Sequence, residues 1–226
     1  MCGRFALDIS PDRLIAMFGL AKGVDFSPHY NIAPSASVPV IRQSPEGERV
    51  ADLLRWGLIP HWAKDLSIGN KLNNARSESV TEKPSFRNAY KRRRCLVPAS
   101  GYYEWQEVPG ERKQPWYIRL KSGEPLAMGG LWESWTSPEG EIVRTFCVMT
   151  TGPNEIMKPI HDRMPVIIGA HDWTTWLDMQ REGEHSLSIL LAPFAADAME
   201  AWPVSRRVSS AREEGVELIE RLTESL

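Results

Sequence analysis

Cysteine is scarce, glycine-rich loops are missing and net charge is almost absent, and each shortage removes a class of protein. Only Cys2, Cys95 and Cys147 occur in 226 residues. An odd, widely spaced set fits a reducing compartment and not a disulfide scaffold. There is no Cys-x-x-Cys, and His29, His61, His161, His171 and His185 lack zinc-site spacing, so no metal is expected. No glycine-rich phosphate loop is present, and no cofactor is expected. The chain has no run of about 18 apolar residues and no basic-then-apolar leader, which points to neither membrane insertion nor export but to a cytoplasmic protein of bacterial type. With a formal net charge of -2, whole-molecule attraction cannot draw the chain to nucleic acid or to an anionic membrane. Any DNA binding has to come from a local patch.

What remains is the composition of an ordinary globular protein, 42% hydrophobic and 25% charged, of a length that suits one domain over residues 1–226. Ser10-Pro11, the apolar Leu14, Ile15, Met17 and Phe18, and then Gly19 read as a short capped helix. Pro45-Glu46-Gly47-Glu48, Pro109-Gly110-Glu111 and Pro138-Glu139-Gly140-Glu141 each read as a hairpin turn. They separate runs of strand formers at Val38–Ile41, Val50–Trp56, Trp116–Leu120, Leu126–Trp132 and Ile142–Thr150. Strands adjacent in sequence should pair antiparallel. Helices are expected at His171–Met179 and at Ala211–Leu222. Strands outnumber helices without alternating with them, so the expected class is α+β: a single domain on an antiparallel, barrel-like sheet with peripheral helices. A monomer is expected.

Charge is unevenly spread. Residues 71–94 hold Lys71, Arg76, Lys83, Arg87, Lys91, Arg92, Arg93 and Arg94 against Glu78 and Glu82, leaving nineteen basic against twenty-seven acidic residues elsewhere. Such a reversal suits a phosphate-binding surface, although a solvated basic loop looks the same. Trp56 and Trp62 lie just before it, and exposed rings that stack on bases are a common way to hold single strands. Trp56 also ends a strand and has an equal claim to the core.

The second residue carries distinct chemistry. Removal of Met1 would place an α-amine, of reference pKa about 7.7–8.0, and a thiol, of about 8.5, on Cys2. The amine can form an imine with an aldehyde, and the thiol can then close a five-membered thiazolidine. If Met1 stays, no such ring can close. Cys95, before Leu96-Val97, and Cys147, in Thr145-Phe146-Cys147-Val148-Met149, read as buried structural thiols.

Six blocks carry a resemblance: Met1-Cys2-Gly3-Arg4-Phe5, Tyr30-Asn31-Ile32-Ala33-Pro34, Arg55-Trp56-Gly57-Leu58-Ile59-Pro60, Asn74-Ala75-Arg76-Ser77-Glu78, Pro98 to Trp105, and Ile160-His161-Asp162-Arg163-Met164-Pro165. With Trp202-Pro203-Val204-Ser205, and in this order, they resemble the SOS response-associated peptidase family from residue 1 to about residue 208. Its eukaryotic relatives are known as embryonic stem-cell-specific 5-hydroxymethylcytosine-binding proteins.

The resemblance implies a sensor of abasic sites in single-stranded DNA that caps them as a thiazolidine crosslink through Cys2, with lyase-like chemistry. It assigns Asn74 to orienting the cysteine and the sugar, Glu104 to moving protons, and His161 to assisting at the imine. Arg4 and Arg76 become phosphate contacts, Trp62 a stacking residue, and Lys71, Lys83 and Thr150 weaker contacts. On local sequence alone these residues are duller. Asn74 after Asn73 reads as turn chemistry, Glu104 between Tyr103 and Trp105 could face either way, and His161 beside Asp162 and Arg163 reads as a turn residue in an ion pair. His29 and Tyr102 depart from the family's common arginine and phenylalanine, and neither is expected to touch the chemistry. Two other readings use the same residues: a peptidase, or self-cleaving peptidase, with Cys2 as nucleophile, and a non-covalent single-stranded DNA-binding protein that relies on the basic segment.

Overall fold

The computed structural model describes residues 2–180 and 184–222. Its framework is two sheets. In the first, β1 (Phe5–Leu7), β2 (His29–Ile32), β7 (Gly101–Gln106), β8 (Gln114–Leu120) and β12 (Met199–Pro203) lie in the order β12-β8-β7-β1-β2, all antiparallel. In the second, β3 (Ser37–Gln43), β4 (Arg49–Trp56), β6 (Arg94–Ala99), β9 (Leu126–Thr136) and β10 (Ile142–Thr151) run in the order β10-β4-β3-β6-β9. This sheet closes into a barrel because β9 also pairs with β10. Closure leaves no bare edge to recruit another strand. The three proline- and glycine-containing turns do join hairpins, β3 to β4, β7 to β8, and β9 to β10.

The barrel is mixed, which the turn signals do not reach. Thr145 and Phe146 of β10 pair in parallel with Arg55 and Trp56. The next stretch of the same edge, Val148 to Thr150, pairs in parallel with β5 (Asn74–Arg76). Residues 57–73 are therefore a loop thrown out between two strands that share one edge of β10. The two-residue strand β11 (Met164–Pro165) pairs with the end of β10.

Helices are few. Ser10 caps α1 (Pro11–Phe18) by accepting from the Arg13 N–H, and Gly19 closes it in the left-handed conformation; such a cap contributes about 1 kcal/mol. The others are α2 (Arg87–Arg92), α3 (Trp173–Leu177) and α4 (Glu184–Ile189). The helix expected at Ala211–Leu222 is absent, with only a single 3-10 turn at Val216–Leu218. Asn31 Nδ2 takes the carbonyls of Ser210 and Glu213, and Gly215 sits at φ 129°, so the backbone cannot keep a helical path. Among the described residues no helix is long and apolar enough to cross a membrane.

The main core lies inside the barrel and between the two sheets. Trp56 belongs to it, packed at 5.1 Å from Phe5 and 6.2 Å from Phe146 between ring centroids. Burying a side chain such as Phe5 or Phe146 stabilises by roughly 1.5–3 kcal/mol. Cys95 and Cys147 are buried free thiols in the same core. A smaller cluster of Ala6, Tyr103, Tyr117, Trp202, Val204, Val208 and Leu218 backs the first sheet on its other face.

The basic segment needs one correction. Arg94 is buried, and its guanidinium donates to the carbonyls of Tyr90, Lys91, Trp176 and Asp178 at the ends of α2 and α3. Four acceptors satisfy its fork, so it ties helix ends together and offers nothing to a phosphate. Arg93 pairs with the buried Glu133 at 2.7 Å. Lys71, Arg76, Lys83, Arg87, Lys91 and Arg92 remain exposed.

Candidate functional site

Strand pairing brings the chain start to β7. Phe5 pairs with Tyr102 and Ala6 with Gly101, and the Tyr103 N–H donates to the Arg4 carbonyl at 2.9 Å. Followed backward, this register runs Gly3 and Cys2 along Glu104. Tyr102 and Glu104, two apart on a strand, share one face, while Tyr103 and Trp105 take the other. Both Cys2 and Glu104 are buried.

Asn74 arrives from β5. Its placement follows from the loop before it, where Trp56 Nε1 and the Val148 N–H both donate to the Asn73 carbonyl, at 2.9 and 3.0 Å. Gly57 sits at φ 124°, and a Cβ there would lie 2.7 Å from the Gly69 carbonyl oxygen, so only glycine lets the two ends of the loop approach. Thus anchored, Asn74 Nδ2 donates to the Cys2 carbonyl at 2.8 Å. The Asn74 Oδ1 is buried with no hydrogen-bond partner among the described residues.

His161 lies on the loop before β11. Its Nε2 is 3.7 Å from Glu104 Oε2, close but beyond a direct hydrogen bond. Its Nδ1 accepts from the Arg163 N–H at 3.0 Å and also stands 3.0 Å from an oxygen of Asp162. One nitrogen cannot accept from the amide and donate to the carboxylate at once. Asp162 is exposed and screened by solvent, so the amide contact governs, leaving a neutral ring with its proton on Nε2 toward Glu104. Burial lowers the pKa of His161, in agreement with the neutral form. Burial likewise pushes Glu104 up to about 7, and holds the Cys2 thiol well above the usual thiol range, with the charge of Glu104 adding to the rise. Near neutral pH this is a carboxyl able both to give and to take a proton beside a neutral imidazole.

The structure thus brings together Cys2, Asn74, Glu104 and His161. Arg76 follows Asn74 on β5 and is exposed, and Trp62 projects from the 57–73 loop, half exposed. Lys71 and Lys83 are exposed on either side of β5 in the chain. Two residues expected to contact substrate are placed otherwise. Arg4 donates to Asn31 Oδ1 at 2.7 Å and to the Val208 carbonyl at 2.9 Å, which turns its guanidinium toward the C-terminal segment. Thr150 is buried, its carbonyl accepting from Arg163 Nη2 at 2.7 Å.

Sequence reasoning passed over the bracket that joins the two halves of the site. Arg163 grips Glu78 with two parallel bonds of 2.6 and 2.9 Å while its own amide holds the His161 ring. A signal was present, since two of the quoted blocks carry charges of opposite sign, Glu78 in one and Arg163 in the other. An open cleft of about 410 Å³ lined by Trp105, Lys113, Lys158, Pro159, Ile160 and His161 adjoins the site. Among the described residues no group of three His, Cys, Asp or Glu could hold a metal.

A closed mixed barrel backed by an antiparallel sheet, with its second residue buried beside a carboxyl that titrates near neutrality, defines a class in which the start of the chain belongs to the interior. The family model described as SOS response associated peptidase (SRAP) matches residues 1–211, and the chain belongs to that family. It is 43% identical over 223 residues to the abasic site processing protein YoqW of Bacillus subtilis, covering 97% of this chain and 99% of that one. It is 31% identical over 256 residues to the abasic site processing protein HMCES of Xenopus tropicalis, covering 94% of this chain and 76% of that protein. A crystal structure of a protein from Bacteroides thetaiotaomicron matches with a TM-score of 0.89 at 26% identity, over 98% of this chain and all of that one.

Proposed function

We propose that the chain processes abasic sites by capturing the ring-opened sugar aldehyde in single-stranded DNA as a thiazolidine on Cys2, once Met1 has been removed. The observation that carries this reading is the Asn74 side chain holding the carbonyl of the buried Cys2, with the buried Glu104 alongside and His161 3.7 Å from that carboxyl. The relatives' names supply the substrate class. The free amine of Cys2 adds to the aldehyde, and Glu104 in its protonated form helps water leave the carbinolamine to give the imine. The Cys2 sulfur then adds to the imine carbon, the C=N pair returns to nitrogen, and the thiol proton passes to the Glu104 carboxylate. Neutral His161 orients Glu104 and shares its proton. Arg76, Lys71 and Lys83 hold phosphates and Trp62 stacks on a base.

The test mixes Met1-processed protein with single-stranded DNA carrying one abasic site. A band shift that survives heat and detergent is expected. A peptide extension before Cys2 should abolish it while leaving salt-sensitive binding, and Cys2→Ser should give only an imine that borohydride traps. Absence of any resistant shift with the processed protein overturns the reading. Cleavage of added peptide with no response to the abasic site would favour a peptidase in its place.

A further inference from the structure

Arg163 joins three segments around the site. Its guanidinium meets the Glu78 carboxylate through two parallel bonds of 2.6 and 2.9 Å and donates to the Thr150 carbonyl at 2.7 Å. Glu78 stands on the single 3-10 turn that directly follows β5, Thr150 lies near the end of β10, and Arg163 itself precedes β11. A two-bond fork fixes direction as well as distance. The pair nevertheless sits where it stabilises little, since the Glu78 side chain is 56% exposed and water screens it. Its effect falls on geometry, and the backbone it fixes is the one that holds the His161 ring.

Two partners compete for His161 Nδ1. The Arg163 N–H and an oxygen of Asp162 both stand 3.0 Å away. With the amide in place, Nδ1 accepts and Nε2 carries the ring proton toward Glu104. If the amide swings away, a proton on Nδ1 can turn to the Asp162 carboxylate, and Nε2 becomes an acceptor. Resting on the thiazolidine reading above, we propose that Glu78 is a positioning residue for the crosslinking reaction: through Arg163 it keeps the His161 proton on Nε2, facing the Glu104 carboxyl. Glu78 itself takes no part in the chemistry. It acts from the segment that also delivers Asn74, so residues 74–78 set both halves of the site.

Glu78→Ala tests this, with His161→Ala and the double variant alongside. On abasic single-stranded DNA at saturating protein, Glu78→Ala should crosslink about tenfold more slowly. It loses no positive charge, so its affinity for DNA should hold or tighten, and its melting temperature should stay within a few degrees of the parent. In the His161→Ala background the same change should slow nothing further, because its target is gone. Without DNA, hydrogen exchange at the Arg163 amide should speed about tenfold in Glu78→Ala. The Val166 amide, bonded to the Met149 carbonyl, should keep its rate. An unchanged crosslinking rate, equal slowing in both backgrounds, a marked fall in melting temperature, or Arg163 exchange that stays put or rises together with Val166 overturns the proposal. If the parent protein forms no heat-resistant crosslink, the thiazolidine reading fails, and the exchange measurement still decides whether Glu78 holds the amide.

Discussion

The two faces of strand β7 differ in how completely the fold meets their polar atoms. On the outer face the Tyr103 hydroxyl donates to the Tyr30 carbonyl at 2.6 Å and Trp105 Nε1 to Ser209 Oγ at 3.0 Å. On the inner face the buried Tyr102 hydroxyl has no hydrogen-bond partner among the described residues, and burial pushes Glu104 up to about 7. The same strand is thus structural on its outer face and carries a titrating carboxyl on its inner one. A buried hydroxyl without a partner forgoes stability there.

Glu104→Gln is the strongest attempt to break this contrast. Loss of the titrating carboxyl should slow crosslinking by about 100- to 10,000-fold, read as initial rate on abasic DNA. Stability should move the other way. A carboxyl raised from 4.5 to about 7 by burial stays protonated in the fold while the unfolded chain ionises, so the wild type loses stability as pH rises from 4.5 through about 7. The glutamine variant lacks that loss, and at pH 8 it should be more stable than wild type by about 3 kcal/mol, against no difference at pH 4, by denaturant titration at both pH values. A variant that is destabilised at high pH would place Glu104 among the structural groups instead.

Tyr103→Phe asks the matching question of the outer face. Its hydroxyl has a partner, so removal should cost about 1–2 kcal/mol and lower the melting temperature by a few degrees. Crosslinking should be unchanged. An equal effect on crosslinking would erase the distinction between the faces.

How much of this was legible beforehand depends on distance along the chain. The three hairpins and helix α1 are written in adjacent residues, as turn and cap chemistry, and they formed where that chemistry stands. The parallel pairings of β10 with β4 and β5 join segments far apart in the chain, and no local signal encodes them. The site followed the same rule. Cys2, Asn74, Glu104 and His161 could be assembled only because whole motif blocks pointed to one family; spacing alone left each of them with a duller reading. Charge in the sequence does not show which side chains have tertiary partners, as Arg4 has in Asn31 and Val208 and Arg94 in four carbonyls. Tyr102 was named and not expected to touch the chemistry, and its buried hydroxyl without a hydrogen-bond partner among the described residues is something a sequence cannot display.

The two arginines at either end of the basic segment give the smallest expected effect on stability and the sharpest on binding. Arg94 is consumed by the fold, whereas the Arg76 side chain is exposed, makes no hydrogen bond or ion pair among the described residues, and sits two residues from Asn74. Arg76→Ala should therefore change stability by less than about 0.5 kcal/mol. If Arg76 neutralises one phosphate, affinity for single-stranded DNA should fall and the slope of log affinity against log salt should become shallower by about 0.7, measured by anisotropy over a salt series. Because the substituted side chain is not part of the chemistry, crosslink yield at saturating protein should recover fully. An unchanged salt slope would move the phosphate track away from β5, toward the exposed lysines and arginines of α2, and would detach DNA binding from the strand that positions Cys2.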